Sequence, residues 1–327
     1  MKMSRLLATL GLLLLLGACA SAPQSASILS TPPDELPAQL RLADIPFFPQ
    51  EDYQCGPAAL ATVLVANNVE TTAEDLIPLV YVPGRQGSFQ VELVAATRRF
   101  HRLAYELEPR LEDLLREVEA GHPVLVMQNL GVNWYPQWHF AVVKGFDLQR
   151  GEILLNSDVR EDYSVSMRTF ERTWARADHW AIVVTTPGEL PATANAAGYF
   201  PAVVALENTT STEIVAPAYA AGLVRWPTDR NLLMAYGNLL YGSGDIAAAA
   251  RQFRSAAEEH PDFAPAHNNL ANTLHELGDD DQALIHARKA VALGGEFQQA
   301  YAATLEKIRA GTRQGPARVE QQGNTSP

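Results

Sequence analysis

Cys55 and His139 are the residues of this chain whose setting best suits nucleophilic chemistry. Cys55 stands in Gln54-Cys55-Gly56-Pro57-Ala58-Ala59-Leu60-Ala61-Thr62-Val63-Leu64. Leu60, Val63 and Leu64, among alanines, have helical spacing and high helix propensity, so the cysteine opens a helix. Pro57 fits the first turn, where its missing N–H costs nothing. A thiol at a helix N-terminus feels the positive end of the helix dipole and loses its proton more easily. A nearby base completes such a nucleophile. His139 is the candidate base, at the start of Trp138-His139-Phe140-Ala141-Val142-Val143-Lys144-Gly145-Phe146-Asp147, which reads as a strand ending in a turn. Leu148 to Gly151 closes a hairpin and Glu152 to Asn156 returns. If the return stays extended, Asn156 and Asp158 share one face, and either can hold the imidazole in the required tautomer. His179, at the start of another apolar strand, is a reserve base with a structural reading favoured. His101 and His122 have no supporting context.

Other elements must hold this pair. Leu111 to Ala120 is an amphipathic helix, and Pro123 to Gln128 and Trp180 to Thr185 are buried strands. Leu130 to Trp138 is a Gly-, Asn- and aromatic-rich loop running into His139. Its Trp134, Tyr135 and Trp138 either line a cleft or cover the core. The mixture points to an α+β domain.

The order of a cysteine on a helix, a histidine on a strand and an Asn or Asp on the next strand resembles the papain-like cysteine peptidases. The motifs resemble more closely the bacteriocin-processing peptidase family (family thirty-nine) over roughly residues 41–186. They are Gln50 with Gln54-Cys55-Gly56-Pro57-Ala58-Ala59, then His139-Phe140-Ala141-Val142-Val143 followed by Gly145-Phe146-Asp147. Pro83 to Leu93 is similar to the family's middle region. The resemblance implies a thiol peptidase without metal or organic cofactor, acting on a peptide or protein substrate. It also implies an oxyanion-hole glutamine upstream of the cysteine. Gln50 is the first candidate for it and Gln54 the second. Relatives carry Asn-Asp-Pro after the second strand; here Asn156-Ser157-Asp158 puts Ser157 at the aspartate position, with Asn156 or Asp158 as possible substitutes. Two rival readings stand beside the peptidase. One is a catalytically idle fold that serves binding; the other is a murein endopeptidase or a transferase using the same thiol.

The other cysteine belongs to an address. Lys2 and Arg5 precede the apolar run Leu6 to Leu16, of signal-peptide length and too short to span a bilayer. Leu16-Gly17-Ala18-Cys19 resembles a lipobox, which implies cleavage after residue 18, lipid on Cys19 and attachment to a membrane facing the periplasm. Ala20, in place of a retention aspartate, favours the outer membrane. Residues 19–40, rich in Ser, Ala and Pro, read as a flexible tether. With Cys19 lipidated, Cys55 is the one remaining thiol.

The C-terminal part is periodic. Gly244-Asp245 recurs as Gly278-Asp279, Leu240 as Leu274, Asn238 as Asn272 and Ala249 as Ala283, at the 34-residue tetratricopeptide period. Leu233, Gly237, Leu240, Ala249, Phe253, Ala256 and Pro261 occupy the signature positions. Glu213 to Arg225 reads as half of a degenerate earlier repeat and Phe297 to Ala310 as a capping helix. The fold expected is therefore an α+β papain-like cysteine peptidase domain (41–186) followed by an all-α tetratricopeptide-repeat domain (212–310). Residues 187–211 read as a linker and 311–327 as a disordered tail. The repeats offer a surface for a protein partner or brace the first domain. At 47% hydrophobic and 19% charged the chain is globular. A net charge of −12 without a basic patch argues against nucleic acid as a partner.

Overall fold

The computed structural model describes residues 22–49 and 54–314. The stretch read as a signal peptide, with Cys19, the candidate Gln50 and the residues from 315 on lie outside the described residues. The chain divides into two compact units, Met1–Thr210 and Ser211–Pro327.

The first unit is built on a seven-stranded antiparallel sheet. Its strands are β1 (Gln39–Arg41), β2 (Leu103–Glu106), β3 (Val124–Asn129), β4 (Trp138–Asp147), β5 (Glu152–Ser157), β6 (Arg160–Ser166) and β7 (Ala181–Thr185). They lie in the order β2-β7-β3-β4-β5-β6, with β1 alongside β4. The expected hairpin is present: β4 and β5 pair from Asp147↔Glu152 to Val142↔Asn156. Its near-continuous apolar run matches burial on both faces.

Helix α2 (Cys55–Ala66) starts at the cysteine, as its alanine- and leucine-rich sequence dictates. With α3 (Ala73–Val80) and α4 (Gln90–Arg99) it packs through Leu60, Leu64, Leu76 and Leu93 against Phe140, Val142, Ile182 and Val184. Each of these four leucines is 0% exposed and contributes roughly 2 kcal/mol by leaving water. The sheet also carries α5 (Leu111–Glu119) and α6 (Met167–Ala175), whose apolar residues Leu111, Leu114, Leu115, Val118, Phe170 and Trp174 are fully buried.

Two segments depart from the sequence reading. Part of the stretch read as a flexible tether is a helix, α1 (Pro23–Ser30), docked on the domain. The buried Glu171 carboxylate accepts hydrogen bonds from the backbone N–H groups of Gln24 (2.9 Å) and Ser25 (2.6 Å). The Gln24 side chain accepts from Leu111 N–H and donates to the Pro109 carbonyl. A carboxylate at a helix N-terminus satisfies orphan donors and complements the dipole. Part of the stretch read as a linker is α7 (Ala196–Glu207), capped by the Asn195 side chain and buried through Tyr199, Val203 and Leu206. It belongs to the first unit. In both places distant side chains override a composition that looks unstructured.

The second unit is all helix: α8 (Thr212–Arg225), α9 (Arg230–Gly242), α10 (Ile246–Glu259), α11 (Ala264–Glu276), α12 (Asp280–Leu293) and α13 (Gln298–Gln314). The recurring Gly-Asp pair has a physical cause. Gly244 and Gly278 turn the chain at φ 87° and 83°, and Asp245 and Asp279 cap the next helix through their side chains. Gly237 lets Phe253 approach so closely that an added Cβ would lie 2.5 Å from the ring. The expected helix at 213–225 is present, and the last helix, expected to end at Ala310, continues to Gln314.

Candidate active site

Cys55 and His139 open into one cleft of about 810 Å³, also lined by Ser88, Phe89, Met127, Leu130, Trp138, Ser157, Asp158 and Arg160. Cys55 is the first residue of α2 and His139 the second of β4, so helix and strand present these side chains from element ends. A backbone bond ties the start of the helix to the strand. The backbone N–H of Phe140, the residue after His139, bonds the Cys55 sulfur, as do the N–H groups of Gly56 and Cys55 at the open end of the helix. Burial pushes the Cys55 thiol up from its ordinary value, and these three donors oppose the rise without cancelling it.

The imidazole of His139 is held by Ser157: Nε2 and Oγ are 2.8 Å apart. Nδ1 is then the nitrogen left to exchange a proton with a thiol. Burial lowers the His139 pKa, the negative charge of Asp158 opposes that shift, and the positive charge of Arg160 adds to it. Arg160 is kept in place over the Tyr163 ring, 3.7 Å from its centroid.

The pleat explains why Ser157 holds the imidazole. Asn156 pairs with Val142, so its side chain leaves the sheet on the Val142 face; the next residue, Ser157, alternates to the side of His139. Asn156 instead donates to the Pro46 carbonyl at 3.1 Å and accepts from the Asp162 N–H. Asp158 lies past the end of β5 in a left-handed turn (φ 59°), so the extended continuation expected for it does not occur. Its carboxylate lines the cleft and acts on His139 through charge. Gln54 occupies the N-cap position of α2 without a side-chain capping bond.

Ser88 is a residue of the cleft that sequence reasoning missed. The segment from Val82 to Gly87 closes on itself (Val82 N–H to Gly87 carbonyl, 2.8 Å) and brings Ser88 onto Gly56. A Cβ at position 56 would fall 2.2 Å from Ser88 Oγ, so the glycine after Cys55 is a steric requirement. Ser88 Oγ is buried and has no hydrogen-bond partner among the described residues. The signal was the Gly87-Ser88 pair inside the middle region, with no chemistry to single it out.

His179, His122 and His101 do not line the cleft. His179 packs edge-on against Trp174 at 4.7 Å. His122 bonds Glu117 and Glu189. His101 pairs with Thr210 at 2.9 Å. Among the described residues no group of three or more His, Cys, Asp or Glu is placed to hold a metal ion.

Residues 42–182 match the model of the Peptidase_C39 like family, and residues 240–308 match that of the tetratricopeptide repeat. The crystal structure of a C39-like peptidase from Bacillus anthracis is similar at 18% identity, covering 45% of this chain and 97% of that one, with a TM-score of 0.38. The type III secretion translocator chaperone SycD of Yersinia enterocolitica is similar at 16% identity, covering 35% of this chain and 83% of that one, with a TM-score of 0.33. The same chaperone in complex with a peptide of the translocator YopD matches at 16% identity, over 35% of this chain and 92% of that one, with a TM-score of 0.32. No curated protein matches the chain. The chain thus joins a Peptidase_C39-like domain, at residues 42–182, to tetratricopeptide repeats at residues 240–308.

Proposed function

We propose that the protein is a lipid-anchored cysteine peptidase facing the periplasm, whose repeats bind a protein or peptide partner. The carrying observation is the shared cleft in which Cys55, at a helix N-terminus, meets the strand of His139, whose outer nitrogen is tied to Ser157. Cys55 Sγ attacks the peptide carbonyl carbon while its proton passes to His139 Nδ1. The tetrahedral oxyanion is received by the Cys55 backbone N–H, with Gln50 as the side-chain donor. The intermediate collapses to a thioester and the imidazolium gives its proton to the leaving amine. Water, deprotonated by His139, then releases the acid.

A thiol shifted up and an imidazole shifted down rest at pH 7 as a neutral pair. Proton transfer then accompanies attack, as general-base catalysis, in place of a preformed thiolate. Ser157 supplies the orienting hydrogen bond of the third catalytic member without supplying charge, and Asp158 adds charge without the bond.

The test is incubation of the purified full chain with a proteome-derived peptide library, the new termini read by mass spectrometry beside Cys55→Ala. Cleavages present only with the intact thiol support the reading, and none at all contradicts it. A second reading, a catalytically idle fold that captures partners, draws on the same hydroxyl in place of a carboxylate or amide at Ser157. Partner binding by the repeats, unchanged in Cys55→Ala, together with no cleavage, would favour it. For the anchor, palmitate labelling lost in Cys19→Ala is expected, and labelling that survives the substitution would contradict it.

A further inference from the structure

Among the described residues the two most exposed aromatic side chains, Trp134 and Tyr135, sit on one loop, at the end of the sheet toward which the N-terminal helix points. The β3–β4 connection, Leu130-Gly131-Val132-Asn133-Trp134-Tyr135-Pro136-Gln137-Trp138, has no charged residue in a chain that is 19% charged. Trp134 is 86% exposed, Tyr135 64% and Trp138 53%, with Leu130 and Val132 also exposed. The loop is braced. Leu130 N–H bonds the Gln137 carbonyl, Val132 and Tyr135 pair with each other, and Asn129 Oδ1 accepts from Gly131 N–H and Gln137 N–H. Leu130, Gln137 and Trp138 line the cleft, whereas Trp134 and Tyr135 do not. The two most exposed rings are therefore presented by a built scaffold and are not accounted for by substrate.

The direction of α1 follows from its contacts. α6 begins where Met167 N–H bonds the Gly151 carbonyl, at the β4–β5 turn, and its end is fixed where Arg176 bonds the Asn129 carbonyl, at the cleft end. Leu29, near the C-terminus of α1, lies against Gly151, and the first turn of α1 sits on Glu171, further along α6. The N-terminus of α1 thus points to the cleft end. Only residues 20–22 separate Cys19 from Pro23, and three extended residues span about 10 Å. A lipid on Cys19 would leave the domain almost no tether.

We propose that the Leu130–Trp138 loop contacts the bilayer to which Cys19 is anchored, with Trp134 and Tyr135 seated at the lipid–water interface and the mouth of the cleft turned toward the membrane. This inference rests on the lipid-anchor reading. Amphipathic Trp and Tyr rings favour the headgroup level, where the apolar body leaves water and the polar edge stays wet. An uncharged, exposed, apolar patch is what such a surface requires. Substrates would then reach Cys55 from along the membrane surface.

The test uses the full chain purified from membranes and reconstituted into phosphatidylcholine vesicles, with and without bromine on the acyl chains. Bromine is expected to quench tryptophan emission, and Trp134→Phe with Trp138→Phe should remove most of that quenching. Trp174 and Trp180 are buried in the domain and should contribute little, and Trp226→Phe is carried in both chains so that its emission does not enter the comparison. A chain that floats with the vesicles but is not quenched, or is quenched equally in the double variant, overturns the membrane contact and leaves the anchor intact. A chain that fails to float, or a Cys19→Ala chain that floats as well as wild type, overturns the anchor reading and this inference with it.

Discussion

Two histidines at opposite ends of β3 are treated in opposite ways. At the far end, His122 Nδ1 lies 2.8 Å from the fully buried Glu117 carboxylate, and Nε2 lies 3.2 Å from Glu189. Burial would lower the His122 pKa, but the two carboxylates outweigh it and the net shift is upward. Glu117 also accepts from Ala192 N–H, Thr193 N–H and Thr193 Oγ1, so this cluster latches the chain that follows β7. Burial would raise Glu117, and its bonds from His122 and Thr193 bring it below its ordinary value. At the cleft end, His139 has a hydroxyl as its hydrogen-bond partner, and burial wins. A histidine given carboxylates is drawn toward its charged form and serves as a structural tie. One given a serine stays neutral and remains able to take a proton.

The largest expected effect is at the cleft. Cys55→Ala and His139→Ala should each lower peptide cleavage by at least roughly a thousandfold while leaving the unfolding transition in place. Activity retained in either variant would break the contrast. Glu117→Gln should do the reverse. Removing one partner of a buried, hydrogen-bonded charge cluster costs about 2–4 kcal/mol in urea unfolding, with the activity of the folded fraction unchanged. Ser157→Ala should reduce kcat/KM about tenfold, the equivalent of one hydrogen bond. Ser157→Asp should move the acid limb of the pH–rate profile upward, because a carboxylate on Nε2 favours the imidazolium.

The smallest effects are in pH. His122 has a folded pKa above 6.5, so its contribution to stability is complete below 6.5 and fades as pH rises through the folded value. Glu117 has a folded pKa below 4.5, so its contribution is complete above 4.5 and is lost as pH falls through the folded value. The latch is therefore strongest between pH 4.5 and 6.5. Cleavage, which needs neutral His139, should rise through a pKa below 6.5 and hold toward the raised thiol value. Stability and activity measured across this range should diverge above pH 6.5. A parallel decline would mean that the latch and the cleft titrate together.

What the sequence made legible follows from what is local. The helix that starts at Cys55 is written in its alanines and leucines, the β4–β5 hairpin in two apolar runs around Leu148 to Gly151, and the repeats in their period. The role of Ser157 is not local. It depends on Asn156 facing Val142, a register that only the strand pairing sets, so the flanking Asn156 and Asp158 looked the better chemistry. Helix α1 owes its N-terminal bonds to Glu171, far along the chain, and α7 is tied down by burial of Tyr199. A Ser-, Ala- and Pro-rich stretch gives no local warning of such partners.

The most direct test of the central claim is the rate of Cys55 alkylation by iodoacetamide against pH, in wild type and His139→Ala. Alkylation is expected to be faster in wild type near pH 7, with an inflection below 6.5 that reports His139 and disappears in the variant. Identical profiles, both rising only with the thiol's own ionisation at high pH, would contradict a working Cys55–His139 pair.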